Sequence, residues 1–242
     1  MAGLSAAGLP APARGVFTSR AGGTSTGPYA GLDLALHVGD EPGAVAANRA
    51  LLAADLDGAS LVFAEQVHGR EVAVVTEPAD AARPGVDALV TTVPGVALVV
   101  LAADCLPVLL ADPVAGVVGA VHAGRQGLVA GVLQAALVAM RELGARPEAI
   151  TAVLGPAACG QCYEVPAAMA EEVERHVPGS RGTTRQGTPS VDLTAGATGL
   201  LRAAGLAQVR TAGGCAFEQQ QLYSYRRDGR TGRHAGVVVL RP

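Results

Sequence analysis

The residues best placed to do chemistry in this chain are a cysteine and a histidine on either side of a turn. Cys105 sits in Ala103-Asp104-Cys105-Leu106-Pro107 and His122 in Ala120-Val121-His122-Ala123-Gly124. The apolar stretches carrying them are joined by Asp112-Pro113-Val114-Ala115-Gly116, whose composition is that of a turn. If they pair as an antiparallel hairpin centred there, facing positions sum to about 227. Residue 105 then faces residue 122 on one side of the sheet, with Cβ atoms roughly 5 Å apart.

A thiol and an imidazole placed in this way make either a metal site or a nucleophilic pair. Adding His68 gives His, Cys and His from separate turns, three ligands suited to zinc with a fourth position open to water or substrate. That open position is the pattern of catalytic zinc, which acidifies a bound water toward a pKa of ~7 and polarises a leaving group. The competing arrangement has Cys105 as nucleophile, His122 as base, and Asp104 or another acid orienting the imidazole. A regular strand points Asp104 to the opposite face, which counts against it unless a bulge at Pro107 intervenes. A lone His or Cys is most often plain filler. The hairpin lifts Cys105 and His122 above that level, whereas His68 gains nothing from geometry alone. On physical grounds the metal and nucleophile readings stay level.

Two other features bear on a substrate. His122 leads through Ala123-Gly124-Arg125 into a helix whose free amides, beside Arg125, could receive an anion. An ordinary glycine-containing helix start is an equal reading. The stretch from Tyr223 to Arg233 is basic with interleaved tyrosines. Asp228-Gly229 reads there as a hairpin turn, so a solvated turn is the default and anion binding the alternative.

The composition limits the remaining options. The chain has 242 residues, half of them hydrophobic and 16% charged, enough for a sizeable core. A net charge of -3 argues against a surface dedicated to nucleic acid or acidic membrane. No stretch reaches the ~18 apolar residues of a spanning helix, and residues 1–14 read as a flexible Ala/Gly/Pro-rich leader without the pattern of a secretory signal. These features predict a cytoplasmic enzyme with one catalytic domain over 15–242. All 18 basic residues are arginine, which reads as GC-rich coding bias and excludes Schiff-base chemistry, a P-loop lysine and a lysine base. Four cysteines do not make a disulfide scaffold. Cys159 and Cys162 form a single C-x-x-C, a weak zinc-ribbon signal without a second pair, and read as reduced loop thiols.

The elements that must position these residues follow from apolar spacing. Strands are predicted around Val16-Phe17-Thr18 and at 60–67, 71–76, 87–92, 96–104, 107–111, 116–122, 207–212 and 235–240, with the turn His68-Gly69-Arg70 between the second and third. Pro107 favours an edge position or a bulge. Helices are predicted over 43–55 after Asp40, over 126–143 with Gly144 at C′, from Pro166 to His176, and after Asp192 to before Gly205. The fold class is α+β: a single mixed α/β domain with largely antiparallel or mixed central sheets and flanking helices, not a doubly wound parallel sheet.

A series of motifs then resembles a known family. Phe17-Thr18-Ser19-Arg20, Gly27-Pro28-Tyr29-Ala30-Gly31-Leu32-Asp33-Leu34, Asn48-Arg49, Gln66-Val67-His68-Gly69, the Cys105 and His122 segments, Gly155-Pro156-Ala157, Cys162-Tyr163-Glu164-Val165 and Ser224-Tyr225-Arg226-Arg227-Asp228-Gly229 occur in family order over nearly the whole chain. They resemble the bacterial purine nucleoside phosphorylases also called laccase-domain or polyphenol-oxidase proteins. The resemblance implies a zinc site on His68, Cys105 and His122, with copper as a substitute, and phosphorolysis of adenosine, inosine and methylthioadenosine. It also implies adenosine deamination as a second activity. Cys105, His122 and Asp104 become the catalytic candidates, and Arg20, Arg49 and Arg125 the candidates for substrate and phosphate contacts. Nucleosides and phosphate are the expected partners of a monomer or homodimer, with neither nucleic acid nor membrane. The alternatives are a Cys105-dependent hydrolase, such as a peptidoglycan-precursor editing enzyme, a copper-associated polyphenol oxidase, and a non-catalytic metal-storing module. A laccase with a type 1 site and a trinuclear cluster needs about ten histidines. This chain has five, so a four-copper enzyme does not fit.

Overall fold

A computed structural model describes residues 3–79 and 81–241. Its elements run, in chain order, β1 (Leu4–Ala6), β2 (Ala13–Thr18), α1 (Pro42–Asp55), β3 (Ser60–Phe63), β4 (Val72–Val75), β5 (Ala88–Thr91) and β6 (Val96–Ala102). Then follow β7 (Leu106–Asp112), β8 (Val117–Ala123), α2 (Arg125–Ala130), α3 (Val132–Glu142), β9 (Thr151–Leu154) and α4 (Ala167–His176). The chain closes with β10 (Arg181–Thr183), β11 (Pro189–Val191), α5 (Leu193–Ala203), β12 (Gln208–Thr211), α6 (Tyr225–Asp228) and β13 (His234–Leu240). It is a mixed α/β domain, as the element pattern predicts.

Two mixed sheets stack face to face. One has the order β1-β2-β13-β6-β3, the other β12-β9-β7-β8-β5-β4, and β10 and β11 form a separate ribbon. Strand β6 explains the stacking. All seven of its residues are buried, with Val96, Leu98 and Val100 facing the second sheet and Ala97, Val99 and Leu101 facing the layer that contains α1. An apolar run without alternation is what a strand covered on both faces requires. Helices α2, α3, α4 and α5 cover the outer face of the second sheet, where Leu128, Leu133, Met140, Val173 and Leu201 pack on Leu106, Val108 and Leu110.

Several expectations are corrected by tertiary packing. Residues 4–14 are not a flexible leader: β1 pairs with β2, and Ala7 is buried and donates its amide to the Gly15 carbonyl. Residues 1, 2 and 242 lie outside the described residues. β3 and β4 belong to different sheets, so residues 64–71 cross from one sheet to the other. Helix α1 starts from Glu41, because the Asp40 carboxylate accepts from Ser25 Oγ at 2.5 Å. The long helix is broken at Gly131, which adopts φ 90° and ψ 34° and separates α2 from α3. Gly144 keeps its predicted place: it donates to Arg141 and Ala145 donates to Met140, closing the end of α3.

Pro107 is in a central strand, not at an edge. Its partner is His122, and neither bonds the other: His122 donates to the Asp87 carbonyl, while the Pro107 carbonyl accepts from Gly155. At such a position near the start of a strand, the missing N–H costs no bond in the β7–β8 ladder. The β7–β8 register sets Leu106 against Ala123 and Asp112 against Val117, two positions beyond the predicted pairing. A shift of two preserves the face, so Cys105 and His122 remain on the same side.

Candidate metal centre

Asp87 organises the site. It is fully buried just before β5. Its Oδ1 lies 2.7 Å from His122 Nδ1 and accepts from the His68 amide at 3.0 Å, while its Oδ2 accepts from the Val67 and Gly69 amides at 3.2 and 2.7 Å. One carboxylate therefore fixes the His122 ring on β8 and folds the segment carrying His68 around itself. Burial alone would raise the Asp87 pKa, but the hydrogen bonds from His122 and the amides outweigh it and hold the group below its ordinary range.

The crossing segment 64–71 is pinned at a second point. Gln66 donates Nε2 to the Leu101 carbonyl at 2.8 Å and accepts from the Leu101 amide at 2.7 Å, fastening the segment to the end of β6. His68 then takes φ 60°, unusual for a residue with a Cβ, and its exposed ring turns toward Cys105. His68 Nε2 lies 3.8 Å from Cys105 Sγ, and the two imidazole rings meet edge-on with centroids 4.9 Å apart. The floor under the trio is Gly124. A Cβ there would stand 3.0 Å from His68 Cδ2 and 3.2 Å from Cys105 Sγ, so a larger residue would have to push these side chains aside by a few tenths of an ångström.

One ligand atom from each of His68, Cys105 and His122 lies within 4.8 Å of the others. With Nδ1 of His122 engaged by Asp87, its Nε2 is left to face Cys105. This carboxylate–histidine pairing is the arrangement that orients metal-bound imidazoles. Burial would raise the Cys105 pKa, but the charge and hydrogen bonds of His122 and His68 lower it; Cys105 and Asp87 raise that of His122 against its own burial. The pair therefore favours a thiolate, the form that binds a metal. The donor set of two imidazoles and a thiolate with one open side fits zinc, and equally accommodates copper.

The trio opens into a cavity of about 610 Å³. Its walls include His37, Gln66, Tyr163, Tyr225, Arg226 and Arg233. The Arg226 guanidinium stacks 4.5 Å over the Tyr163 ring and donates to the Glu164 carbonyl, while Arg233 donates to the Thr231 and Gly232 carbonyls.

The other candidates fall in different places. Asp104 borders the cavity at φ 95°, but its carboxylate accepts from Ser224 Oγ at 2.6 Å and the Arg226 amide at 2.7 Å. It holds the C-terminal segment in place, and the acid on His122 is Asp87. Arg20 donates to the Ala30 carbonyl and stacks on Tyr223. Arg49 donates twice to the Leu34 carbonyl and stacks on Phe63. Neither belongs to the cavity wall. Arg125 opens α2 close to Tyr163, and α2 has only six residues, a shorter helix start than predicted. Asp228-Gly229 is not a hairpin turn but the end of α6, which Ser224 caps by accepting from the Arg227 amide.

Asp87 is not singled out from sequence, whereas Tyr163 enters only within the motif Cys162-Tyr163-Glu164-Val165, and Arg226 and Arg233 only within the basic stretch from Tyr223 to Arg233. The available signal for Asp87 was an acid opening an apolar strand. Nothing short of the fold places Arg233 across from Cys105.

The family model described as "multi-copper polyphenol oxidoreductase laccase" matches residues 14–241. A relative named purine nucleoside phosphorylase ORF3, from Streptomyces griseus, is 56% identical over 228 residues, covering 93% of each chain. A relative named purine nucleoside phosphorylase Cgl2154/cg2365, from Corynebacterium glutamicum, is 50% identical over 234 residues, covering 95% of each. The crystal structure of YlmD from Geobacillus stearothermophilus superposes with a TM-score of 0.90 at 33% identity, covering 99% of this chain and 97% of that one. The matched span takes in all three residues of the trio and every strand except β1, apart from the first residue of β2, and the chain belongs to this laccase-domain family.

Proposed function

We propose that the chain is a zinc-dependent purine nucleoside phosphorylase. A phosphate oxygen forms a bond to C1′ of the ribose as the bond to the purine nitrogen breaks; the electron pair leaves with the base, and ribose 1-phosphate is released. The observation that carries this reading is the meeting, in one cavity, of an open-sided His/Cys/His set with arginines and tyrosines. The names of the relatives support it.

Each wall has a task in that reaction. Arg226 and Arg233, with Arg125 nearby, offer guanidiniums to phosphate, whose geometry they match. Tyr163 and Tyr225 give flat faces on which a purine or ribose can rest. His68, Cys105 and His122 would hold the zinc, which when bound supplies a Lewis acid near the developing charge. Asp87 keeps His122 in the tautomer that presents Nε2. A volume of this size suits a nucleoside and phosphate together. Adenosine, inosine and methylthioadenosine are the proposed substrates, with adenosine deamination as a second activity, in a cytoplasmic monomer or homodimer.

The test is to incubate the purified protein with each nucleoside, with and without phosphate, and measure free base and ribose 1-phosphate. Base release that requires phosphate is expected; release indifferent to phosphate contradicts the reading. Inosine appearing from adenosine reports the deaminase activity.

One observation favours a second reading. Cys105, His122 and Asp87 line up as nucleophile, base and orienting acid, which suits a thiol hydrolase. Alkylation of Cys105 that abolishes activity while metal content stays unchanged would select it over the zinc enzyme.

A further inference from the structure

The three cysteines that the cavity does not use come together elsewhere. We propose that Cys159, Cys162, Cys215 and Glu218 hold a second divalent metal ion, of zinc's class, in a closed structural site. Their four ligand atoms lie within 4.8 Å of one another. A tetrahedral ion with metal–sulfur bonds near 2.3 Å sets its sulfurs about 3.8 Å apart, so closure needs inward shifts of about 1 Å at most.

The backbone around these residues is built as two matching turns. In Cys159-x-x-Cys162 the amides of Cys162 and Tyr163 both donate to the Cys159 carbonyl at 2.9 Å. In Cys215-x-x-Glu218 the amides of Glu218 and Gln219 donate to the Cys215 carbonyl at 3.2 and 3.0 Å. The turns are held face to face by the parallel bridge between Ala157 and Cys215 and by the Ala216 amide donating to Ala157 at 2.9 Å. Across the gap, the Cys159 amide donates to Cys215 Sγ at 3.3 Å, and Cys162 Sγ lies 3.5 Å from Glu218 Oε1. Two turns, each offering its first and fourth residue to a common point, provide a complete four-ligand set. The C-x-x-C, a weak signal alone, has its second half in a C-x-x-E 56 residues away.

The donor chemistry selects the ion. Three soft sulfurs with one hard oxygen favour zinc over calcium or magnesium, which want oxygen alone. Four filled positions leave no opening for substrate, the mark of a structural site. Binding a dication displaces the thiol protons to solvent and leaves excess negative charge. Arg185, ion-paired with Glu218, and Arg227, whose guanidinium donates to the Ala216, Phe217 and Gln219 carbonyls, lie where that charge needs them. Such an ion would fasten the loop carrying Tyr163 to the segment leading into α6 and Arg226, two walls of the cavity.

The experiment is metal analysis of reduced protein in which the first site has been removed by His68→Ala and Cys105→Ala together. This double variant is expected to retain one zinc per chain. Reconstituted with cobalt, it should give tetrahedral d–d bands and a near-ultraviolet sulfur-to-cobalt band, although Cys105 is gone. Adding Cys162→Ser and Cys215→Ser should remove both the zinc and the bands. Should that variant not fold, a chelator that strips the zinc from the double variant should lower its melting temperature. A folded double variant that takes up neither zinc nor cobalt overturns the proposal. So does a Cys159–Cys162 disulfide that, once reduced, leaves a protein without metal affinity.

Discussion

Asp87 carries more of the candidate centre than any of the metal ligands. Its two oxygens serve a histidine ring and three consecutive amides, so the position of His68 and the orientation of His122 depend on one buried group. Asp87→Asn keeps the shape but turns one acceptor into a donor that faces amides. We predict a roughly 10–100-fold loss of zinc affinity in a competitive chelator titration, in line with other partners of metal-bound histidines. Asp104→Asn should leave zinc affinity near that of the wild type, since its carboxylate bonds Ser224 and Arg226 and not the trio. Equal losses in the two variants would contradict this division of roles. Gly124→Ala makes a steric test of the same centre: its methyl group would press on His68 and Cys105. The expected outcome is loss of stoichiometric zinc from a folded protein, read by metal analysis beside circular dichroism.

At the scale of elements, the hairpin β7–β8 was legible in part. Apolar runs around a Pro-Gly turn located both strands, and the period of two kept Cys105 and His122 on one face although the register moved by two positions. His68 was not legible from spacing, because its placement depends on a segment that crosses between sheets and is fastened by Gln66 and Asp87, far apart in sequence. Motif resemblance supplied what local pattern could not. The break at Gly131 was missed for a different reason: apolar spacing continues through it, and only its left-handed backbone divides α2 from α3. Gly131→Ala forces a Cβ into that conformation and should destabilise the protein by about 1–2 kcal/mol in urea unfolding. A variant as stable as the wild type would show that the chain can run as one helix here. The α6 turn was misread because its determinants, Asp104 and the carbonyls that enclose Arg227, come from elsewhere in the fold.

Over the whole molecule, the two ends of the chain meet at Asp33, buried and accepting from the Ala35 and Arg233 amides at 3.1 and 2.7 Å. Burial is the largest influence on it and pushes its pKa up to about 6, against the bonds from those amides. A carboxyl group whose folded pKa lies above its unfolded value gives stability that is fully present below pH ~4 and is lost as the pH rises through about 6. Relative to Asp33→Asn, the wild type should therefore lose up to about 3 kcal/mol between pH 4 and pH 7. A stability difference that does not change with pH would contradict this. The function proposed for the whole assembly joins the trio to Tyr163 on the loop after β9 and to Tyr225, Arg226 and Arg233 brought across from the C-terminal segment. It is tested most directly by following ribose 1-phosphate formation from inosine and phosphate in enzyme as purified, stripped by chelator, and resupplied with zinc. The account predicts phosphate-dependent product that disappears on stripping and returns with zinc. No product from the metal-replete enzyme, or a rate indifferent to stripping, would contradict it.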